Sequence, residues 1–484
     1  MTGTIVRSKI VATVGPACRD KLKELAEAGV DVFRLNTAHG NTEEHEETIA
    51  RIRQVERQLA RPLAVLVDLA GPKIRLGRLT RDPMPVEPGV RFRLLREGPA
   101  RTPTDLTCSY SQLYRDLREG DVVLFADGTV RMRVTARHAE FVELVGESWG
   151  EIRSNQGINL PGVSLQLTTV TAADQEYARW AVRAGADFVS QSFVRSVDDV
   201  RQIREIVDEA SRESGRNPEG FPAVVAKIEK REALRELEAI VQAAGAVMVA
   251  RGDLGVEIDV AETPVVQKRI LSVCRQRGRP AIVATQMLDS MQNSPRPTRA
   301  EATDVANAVL DGADACMLSG ETAVGAYPVE SVEVMNRILR HTECLLADGI
   351  RLARGVQSSS AVHRVTSAII AGCGVVAEHA GASLIAVITR SGATALALSQ
   401  QRLGIPVLGG SPHVETARKL CLCWGIDPQW ITPDVAGGDA PELLLDRARE
   451  RGLLSAGDRA VIVTGRGIAG RTHNEIAVYE ETEG

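Results

Sequence analysis

The stretch that decides the fold is Ala223–Gly255, AVVAKIEKREALRELEAIVQAAGAVMVARGDLG. It begins and ends with apolar runs of strand length, and the segment between them, REALRELEAIVQAAG, has helical spacing and good helix formers. A strand, a helix and a second strand of these lengths are typical of a parallel βαβ unit. The stretch therefore predicts an α/β fold.

Charged residues end both apolar runs. Lys227 and Glu229 are two residues apart, so a strand projects both onto one face, and Asp253 follows the second run. Buried charges need partners, so these groups would be costly in an ordinary core. Two carboxylates suit a divalent metal ion, and a lysine beside them suits a phosphate. A salt-bridge network at the rim of a barrel is the alternative interpretation.

The alternation of strands and helices recurs along the chain. Eight strands are predicted, at Ser8–Gly15, Val32–Asn36, Leu63–Leu69, Phe188–Val194, Ala223–Glu229, Ala246–Gly252, Ala281–Met287 and Ala315–Glu321. Eight such units predict a (β/α)8 TIM barrel, whose active site lies at the C-terminal ends of the strands. A doubly wound open sheet is the alternative, but one open sheet rarely brings the ends of eight strands together.

Two regions depart from the alternation. Short alternating runs and turn residues between Leu76 and Asn159, without a convincing helix, predict an inserted β-barrel domain that could act as a lid. Beyond Gly355 a separate α/β segment begins. We therefore expect a catalytic barrel from residues 1–75 and 160–347, a lid from 76–159, and a C-terminal α/β domain from 348–484.

Composition excludes several classes of partner. The chain has 484 residues, 44% of them hydrophobic and 25% charged, and a net charge of −5, so nucleic acid is not expected. No apolar run is long enough to span a bilayer, and the first ten residues lack a signal peptide's apolar core. The eight cysteines form no zinc pattern. We expect a cytoplasmic protein that binds neither nucleic acid nor membrane.

Further polar groups gather at the predicted mouth of the barrel. Arg34 and Asn36 share a strand face, and His39 follows in the loop RLNTAHG. An arginine there suits a phosphate, although pairing with a rim carboxylate is the alternative. Lys73 and Arg75 add two cations after the third strand. Several cations and carboxylates on one rim favour a phosphorylated, metal-bound substrate.

Hydroxyl groups at later strand ends are the next candidates. Thr285 and the pair Ser319 and Glu321 could move a proton, although Ser319 is better explained as a helix cap. TRSGAT (Thr389–Thr394) could cradle a phosphate, with a plain N-cap turn as the alternative. GRGIAG (Gly465–Gly470) is interpreted as a glycine-rich turn, because only fourteen residues follow it.

These motifs together resemble the pyruvate kinase family over essentially the whole chain. The matching stretches are SKIVATVGPA, RLNTAHG, GPKIR, NLPG, AKIEKREAL, MVARGDLGVE, ATQMLDSM, PRPTRAEATDVANAVLDGADACMLSGETAVGAYPVE and the TRSGAT loop. The segment that runs from PRPTRAE to MLSGET is the most specific of them. The resemblance implies a barrel with an inserted β-domain and a C-terminal regulatory domain, usually in a homotetramer.

The resemblance also implies a glycolytic reaction, which is phosphoryl transfer from phosphoenolpyruvate to ADP followed by protonation of enolpyruvate. In that case Lys227 would neutralise the transferred phosphoryl group. Glu229 and Asp253 would bind Mg²⁺, with Mn²⁺ as an alternative ion. The backbone of Gly252 and Asp253 would hold the substrate carboxylate, and Thr285 would lie near the carbon that takes the proton.

Other roles follow from the same resemblance. Arg34 would grip the phosphate, and the nucleotide, ADP or ATP, would contact Asn36, His39 and Arg75. A phosphorylated effector, either a sugar phosphate or a nucleoside monophosphate, would bind the C-terminal domain. Its predicted site consists of Thr389, Ser391, Gly392 and Thr394, with Arg390, Arg466 and Arg471 as further candidates.

The sequence departs from the family pattern at the monovalent-cation site. Many members hold K⁺ with oxygens from Asn, Ser, Asp and Thr side chains. Here Asn36 and Asp68 remain as a residual site, but Ala38 and Leu69 stand in the Ser and Thr positions. Lys73 replaces the usual Glu and could supply the missing positive charge, so K⁺ is predicted not to be required. Ala173 also replaces a lysine that many members carry near the nucleotide.

Two other functions stay open at this stage. A lysine on a barrel strand can form a Schiff base, so Lys227 could serve a class I aldolase. A sensor that binds metabolites without turnover is the other alternative, although the lysine, both metal ligands, Arg34 and Thr285 are all present.

Overall fold

The computed structural model describes residues 6–163, 165–215, 222–347, 364–432, 440–464 and 475–482. The chain begins with three parallel strands separated by two helices. The elements are β1 (Lys9–Thr13), α1 (Leu22–Ala28), β2 (Val32–Asn36), α2 (Thr42–Leu59) and β3 (Ala64–Asp68). Helix α2 begins after Asn41, whose side-chain oxygen accepts a hydrogen bond from the Glu44 N–H at 2.9 Å.

The segment after β3 forms two antiparallel or mixed sheets with one short helix. Its elements are β4 (Met84–Val86), β5 (Arg91–Leu95), β6 (Asp105–Leu106), α3 (Leu113–Asp116), β7 (Val122–Phe125), β8 (Val130–Arg137), β9 (Phe141–Gly146), β10 (Gly150–Ile152) and β11 (Ile158–Asn159). Six of the strands form one sheet, while β4 and β10 pair separately. Alternate residues of β8 and β9 are buried, as the alternating sequence predicts.

The chain then returns to strands that alternate with helices. These elements are α4 (Ala172–Ala184), β12 (Phe188–Gln191), α5 (Val197–Glu213), β13 (Ala223–Ile228), α6 (Leu237–Ala243), β14 (Ala246–Ala250), α7 (Arg251–Glu257), α8 (Thr263–Gln276), β15 (Ala281–Ala284), α9 (Arg299–Leu310), β16 (Ala315–Leu318), α10 (Gly320–Ala323) and α11 (Pro328–Ala347). Thr171, Ser196 and Thr298 cap α4, α5 and α9 through capping boxes.

The eight parallel strands close into a barrel in the order β1, β16, β15, β14, β13, β12, β3, β2. The predicted TIM barrel is therefore confirmed, and the open sheet is excluded. Apolar side chains such as Leu66, Phe188 and Met248 fill its interior. Because the strands are parallel, their polar C-terminal residues meet at one rim.

The C-terminal part is an α/β unit, as predicted. Its elements are α12 (Arg364–His379), β17 (Leu384–Ile388), α13 (Ala393–Gln400), β18 (Val407–Ser411), α14 (Val414–Leu420), β19 (Ile426–Trp430), α15 (Ala440–Glu450), β20 (Arg459–Thr464) and β21 (Glu475–Glu480). The sheet order is β19, β18, β17, β20, β21, with only the β20–β21 pair antiparallel. Cys421 and Leu422 pack among the side chains of the barrel interior.

The structure differs from the sequence interpretation in several places. The strands expected to end at Val194, Met287 and Glu321 end three residues earlier, at Gln191, Ala284 and Leu318. The strand expected at Ala246–Gly252 ends at Ala250, because its pairing with β15 ends there and the chain turns into α7. The helix expected over REALRELEAIVQAAG is a 3₁₀ turn at Glu232–Leu234 followed by α6. Four elements of the C-terminal unit were not predicted, namely α14, β19, α15 and β21.

Candidate active site

The site is centred on Lys227, which lies near the C-terminal end of β13. Its Nζ is 2.9 Å from a carboxylate oxygen of Glu229 and 3.4 Å from one of Asp68. It also donates a hydrogen bond to the Ser192 hydroxyl at 2.8 Å. Lys227 and Glu229 share a strand face, as their spacing predicts, and β3 brings Asp68 to the same rim.

Arg34 is the second cation that contacts Asp68, besides Lys227. Its Nε donates to an oxygen of Asp68 at 2.8 Å, and its Nη1 donates to the Thr13 hydroxyl at 2.9 Å. Ser190 donates to the other oxygen of Asp68. The arginine therefore pairs with a rim carboxylate, which is the alternative that the sequence left open. One buried carboxylate orients both cations of the site.

The charges of this cluster support one another. Burial opposes the charged form of Asp68, but Lys227 and Arg34 outweigh it and lower the pKa of the carboxyl. Burial likewise opposes the ammonium of Lys227, but Asp68 and Glu229 outweigh it and raise the pKa of the lysine. Lys227 is therefore protonated at neutral pH. A Schiff-base nucleophile needs a neutral amine, so this environment disfavours the aldolase alternative.

Glu229 and Asp253 are the two candidate metal ligands. Burial raises the pKa of Glu229, and the charge of Asp253 raises it further, while Lys227 and the Phe193 N–H oppose the shift. The Phe193 N–H donates to Glu229 at 2.8 Å. Two carboxylates that repel each other fit a divalent cation, which would relieve the repulsion. Over the described ranges, no group of three or more His, Cys, Asp or Glu side chains forms a metal cluster.

Gly252, in the first turn of α7, and Thr285, directly after β15, are joined by a hydrogen bond. The Gly252 N–H donates to the Thr285 hydroxyl at 2.8 Å, and that hydroxyl donates to the Ala284 carbonyl at 2.6 Å. Thr285 has a φ of 69° and Gln286 a φ of 56°, both in the left-handed region. A β-branched residue rarely adopts this conformation, and such strain is concentrated at functional sites.

Lys73 lies between the end of β3 and the inserted sheets. Its side chain is exposed and lines a cleft whose walls include Asn159, Phe193 and Asp253. A Cβ on Gly157, next to the last inserted strand, would be 3.1 Å from the Lys73 Cε. Across the part of the chain that the structure describes, no ion pair of Lys73 is found.

The three predicted nucleotide contacts border the same face. Asn36 ends β2, and its side-chain oxygen accepts a hydrogen bond from the Ala38 N–H at 3.1 Å. His39 is exposed in the turn that follows. Arg75 is also exposed and donates to the Asn155 carbonyl at 3.1 Å. The three residues thus come from the β2 turn and from the beginning of the inserted segment.

Ser319 and Glu321 have structural partners at the end of β16. Ser319 directly precedes α10, but its side chain makes no capping hydrogen bond, so the predicted hydroxyl cap is wrong. Ser319 has a φ of −111° and a ψ of −95°, which is not the extended conformation of an N-cap residue. The Glu321 carboxylate instead accepts the Ser319 N–H at 2.7 Å and the Leu288 N–H at 3.1 Å. The buried Glu321 therefore joins the ends of two strand loops.

The candidate effector loop joins β17 to α13. The Thr389 hydroxyl accepts a hydrogen bond from the Gly392 N–H at 3.0 Å, and Gly392 adopts a φ of 86° at the N-cap of α13. Thr394 is buried in the first turn of that helix, and Ser391 is exposed. The predicted glycine-rich turn Gly465–Gly470, with Arg466, and the candidate Arg471 lie outside the described residues.

Several residues of the site were not given a role from the sequence. Among them are Thr13 and Ser192, which contact Arg34 and Lys227, Ser190, which donates to Asp68, and the pair Lys230 and Glu257 beside the metal ligands. Lys230 follows Glu229 directly, and this adjacency was the one feature of the sequence that could have drawn attention to Lys230. Its partner is 27 residues away, so sequence spacing did not reveal the pair.

A closed barrel with a lysine between buried carboxylates at its C-terminal rim defines a barrel enzyme. The family model described as pyruvate kinase, barrel domain, matches residues 5–332, and the one described as pyruvate kinase, alpha/beta domain, matches residues 367–479. The chain therefore belongs to the pyruvate kinase family, whose members are phosphotransferases.

Curated relatives agree with the family models. The chain is 38% identical to pyruvate kinase 2 of Synechocystis, over 96% of this chain and 78% of the relative. It is 38% identical to a pyruvate kinase of Agrobacterium vitis, over 97% of both chains. It is 39% identical to a pyruvate kinase of Corynebacterium glutamicum, over 96% of both chains. Within the described residues, no helix is long and apolar enough to cross a membrane.

Proposed function

We propose that this protein transfers the phosphoryl group of phosphoenolpyruvate to ADP and so forms pyruvate and ATP in glycolysis. The observation that carries the proposal is the position of Lys227, held 2.9 Å from Glu229 and 3.4 Å from Asp68. A charged, oriented ammonium at the mouth of a barrel suits a phosphoryl group in transfer, because catalysis of this reaction is mostly positioning and electrostatic stabilisation.

Arg34 would hold the phosphate from the other side. Its Nε and Nη1 are oriented by Asp68 and Thr13, so its guanidinium is fixed before substrate arrives. Fixed donors need no reorganisation when charge moves during the reaction. Arg34 and Lys227 together would neutralise the transferred group, and Asp68 acts through both of them as a positioning residue.

Glu229 and Asp253 would hold Mg²⁺, and Mn²⁺ could be held by the same oxygens. Both are hard oxygen ligands. Burial raises the pKa of Glu229 and the charge of Asp253 raises it further, and a bound cation would relieve the repulsion between the two carboxylates. The bound ion would supply charge neutralisation for substrate oxygens. Only two protein ligands are expected, because Mg²⁺ usually keeps water and substrate oxygens in its coordination sphere.

Thr285 would lie at the carbon of enolpyruvate that takes the proton. Its hydroxyl accepts the Gly252 N–H and donates to the Ala284 carbonyl, so the oxygen is oriented in two directions. The backbone N–H groups of Gly252 and Asp253, in the first turn of α7, would bind the substrate carboxylate. Binding would draw the Gly252 N–H away from Thr285 and free the hydroxyl for proton transfer.

We also propose that the enzyme does not require K⁺. Asp68 is already bonded to Arg34 and Ser190 and lies beside Lys227, and the Asn36 oxygen accepts the Ala38 N–H. Asp68 is therefore already neutralised by protein cations without a monovalent ion. The ammonium of Lys73 would supply positive charge at the mouth, and Asn36, His39 and Arg75 would contact the nucleotide there.

Other parts of the proposal concern organisation and regulation. Residues 1–75 and 160–347 would form the catalytic domain, 76–159 a mobile lid and 348–484 an allosteric domain. Thr389, Ser391, Gly392 and Thr394 would bind a phosphorylated effector in that last domain. The protein would act in the cytoplasm as a homotetramer, without nucleic acid or membrane partners.

The experiment that tests the activity measures pyruvate formed from phosphoenolpyruvate, ADP and Mg²⁺ in buffer free of K⁺, and again with K⁺ added. Equal rates support both the reaction and the K⁺ independence. A rate that depends on K⁺ contradicts the second point only. A borohydride treatment in the presence of a carbonyl substrate should leave Lys227 unmodified, whereas a trapped adduct would favour the aldolase mechanism.

A further inference from the structure

We propose that Lys230 and Glu257 form a latch that couples the position of the lid to the metal-binding carboxylates. The inference rests on the proposed function, because it assigns these two residues as positioning residues for Glu229 and Asp253. Neither residue is proposed to touch the substrate. Their effect would come through the short helix α7 and the residues that follow β13.

The latch begins as a buried ion pair. The Nζ of Lys230 contacts the Glu257 carboxylate, and the Glu257 side chain is only 2% exposed, against 15% for Lys230. A buried carboxylate is stable only when its partner is in place, and losing that partner is strongly destabilising. The pair therefore has one well-defined arrangement, which allows it to fix the elements at its two ends.

Each partner is next to a candidate metal ligand. Lys230 follows Glu229 in the chain, and its Nζ lies 5.6 Å from the centre of the Phe193 ring. The Phe193 N–H in turn donates to Glu229, and Phe193 has a φ of 57°. Glu257 is the last residue of α7, the helix whose first turn contains Asp253. The pair thus joins the supports of both carboxylates.

The same carboxylate also contacts the connection that leads from the inserted segment back to the barrel. The backbone N–H of Gly162, three residues after the last inserted strand β11, interacts with Glu257 and favours its charged form. Gly128 of the inserted segment follows β7, the strand that pairs with β11, and a Cβ on it would be 3.6 Å from Val256, the neighbour of Glu257. The inserted segment and its return connection therefore both lie beside the end of α7.

These contacts predict mechanical coupling. Asp253 and Glu257 are four residues apart in α7, about one helical turn, so the helix backbone joins them directly. A shift of the segment around Gly162 acts on Glu257 at one end of α7 and is transmitted to Asp253 at the other. The lid would close and the metal ligands would take up their binding geometry in the same movement.

The test compares Lys230→Met with Lys230→Arg and with a control. In Lys230→Met, the Mg²⁺ concentration for half-maximal activity should rise about tenfold or more, as for other outer partners of metal ligands. The kcat at saturating Mg²⁺ should change much less. Lys230→Arg retains the ion pair, so its Mg²⁺ concentration for half-maximal activity should stay close to that of the parent protein. The control is Lys268→Met, which breaks the ion pair between Lys268 on α8 and Asp311 at the end of α9 and should leave the Mg²⁺ concentration for half-maximal activity unchanged.

A second measurement does not need turnover. In the metal-free protein, hydrogen exchange should accelerate at residues 158–163 and 251–257 in Lys230→Met, with the rest of the barrel unchanged. Unchanged exchange and an unchanged Mg²⁺ concentration for half-maximal activity would overturn the latch, and so would uniform acceleration over the whole chain, which indicates general destabilisation. If the parent protein forms no pyruvate, the proposed function fails, while the exchange result still decides whether the latch exists.

Discussion

Arg418 on α14 and Glu56 on α2 form a two-point ion pair between the C-terminal unit and the barrel. The arginine Nε donates to one carboxylate oxygen at 2.8 Å, and Nη2 donates to the other. Glu56 also accepts the N–H of Leu63, the residue before β3, at 3.1 Å. On the other side, Thr416 of α14 donates to the Arg390 carbonyl at 2.9 Å. A continuous set of contacts thus joins the candidate effector loop to the strand that carries Asp68.

The first prediction concerns this pair. Arg418→Met should weaken the attachment of α14 by about 2 kcal/mol, because a hydrogen-bonded charge pair is lost. Hydrogen exchange of α14 and of residues 390–392 should accelerate by roughly 30-fold, the factor that corresponds to that free energy. The control is Arg449→Met, which removes ion pairs made within the C-terminal unit. Equal exchange in parent and Arg418→Met would show that the pair contributes nothing to the attachment.

The second prediction concerns Lys227. Lys227→Met should lower kcat by about 10³-fold or more, because a charged donor to the transferred group is lost. The fold should survive, since Asp68 keeps Arg34 and Ser190, and Glu229 can take up a proton in a site that already raises its pKa. Initial rates and a circular dichroism melt check both parts.

A matched control separates charge from shape at this position. Lys227→Arg keeps a cation but changes the reach of the side chain, so its activity should fall less than that of Lys227→Met. Undiminished turnover in Lys227→Met would contradict the assignment of this lysine to the phosphoryl group.

The barrel and its rim were predictable because the apolar runs of strand length agree with the regular alternation of strands and helices. Strand runs at βα spacing imply a parallel sheet, and parallel strands bring Lys227, Glu229 and Asp68 to one end whatever the loops do. Distant pairing was not predictable. Glu257 and Arg418 are ordinary charged residues on helices, and only the folded chain shows that they meet Lys230 and Glu56. Interfaces between units depend on contacts far apart in sequence, for which local patterns carry no signal.

The third prediction concerns Lys73. Lys73→Glu should lower activity both with and without K⁺, because the positive charge is lost while Ala38 and Leu69 still provide no oxygen ligand for the ion. Lys73→Arg should retain most of the activity. Pyruvate formation is measured at several K⁺ concentrations for each variant. Full rescue of Lys73→Glu by K⁺ would mean that the residual site binds the ion after all, contrary to the account given for Asn36 and Asp68.

The last prediction concerns the hydroxyl of Thr285. Thr285→Val removes the only side-chain oxygen at this position but keeps the branched shape, so proton delivery to the enolpyruvate carbon should slow while phosphoryl transfer continues. The measurement follows ATP and pyruvate separately, together with deuterium incorporation into the methyl group of pyruvate.

Thr285→Ser is the matched control, since serine keeps the hydroxyl and adopts the φ of 69° with less strain than a β-branched residue. It should form ATP and pyruvate at similar rates. In Thr285→Val, the Gly252 N–H also loses its acceptor, so phosphoenolpyruvate should bind no more weakly than in the parent protein. If deuterium incorporation is as fast in Thr285→Val as in Thr285→Ser, the proton comes from another group, and Thr285 only orients the backbone of α7.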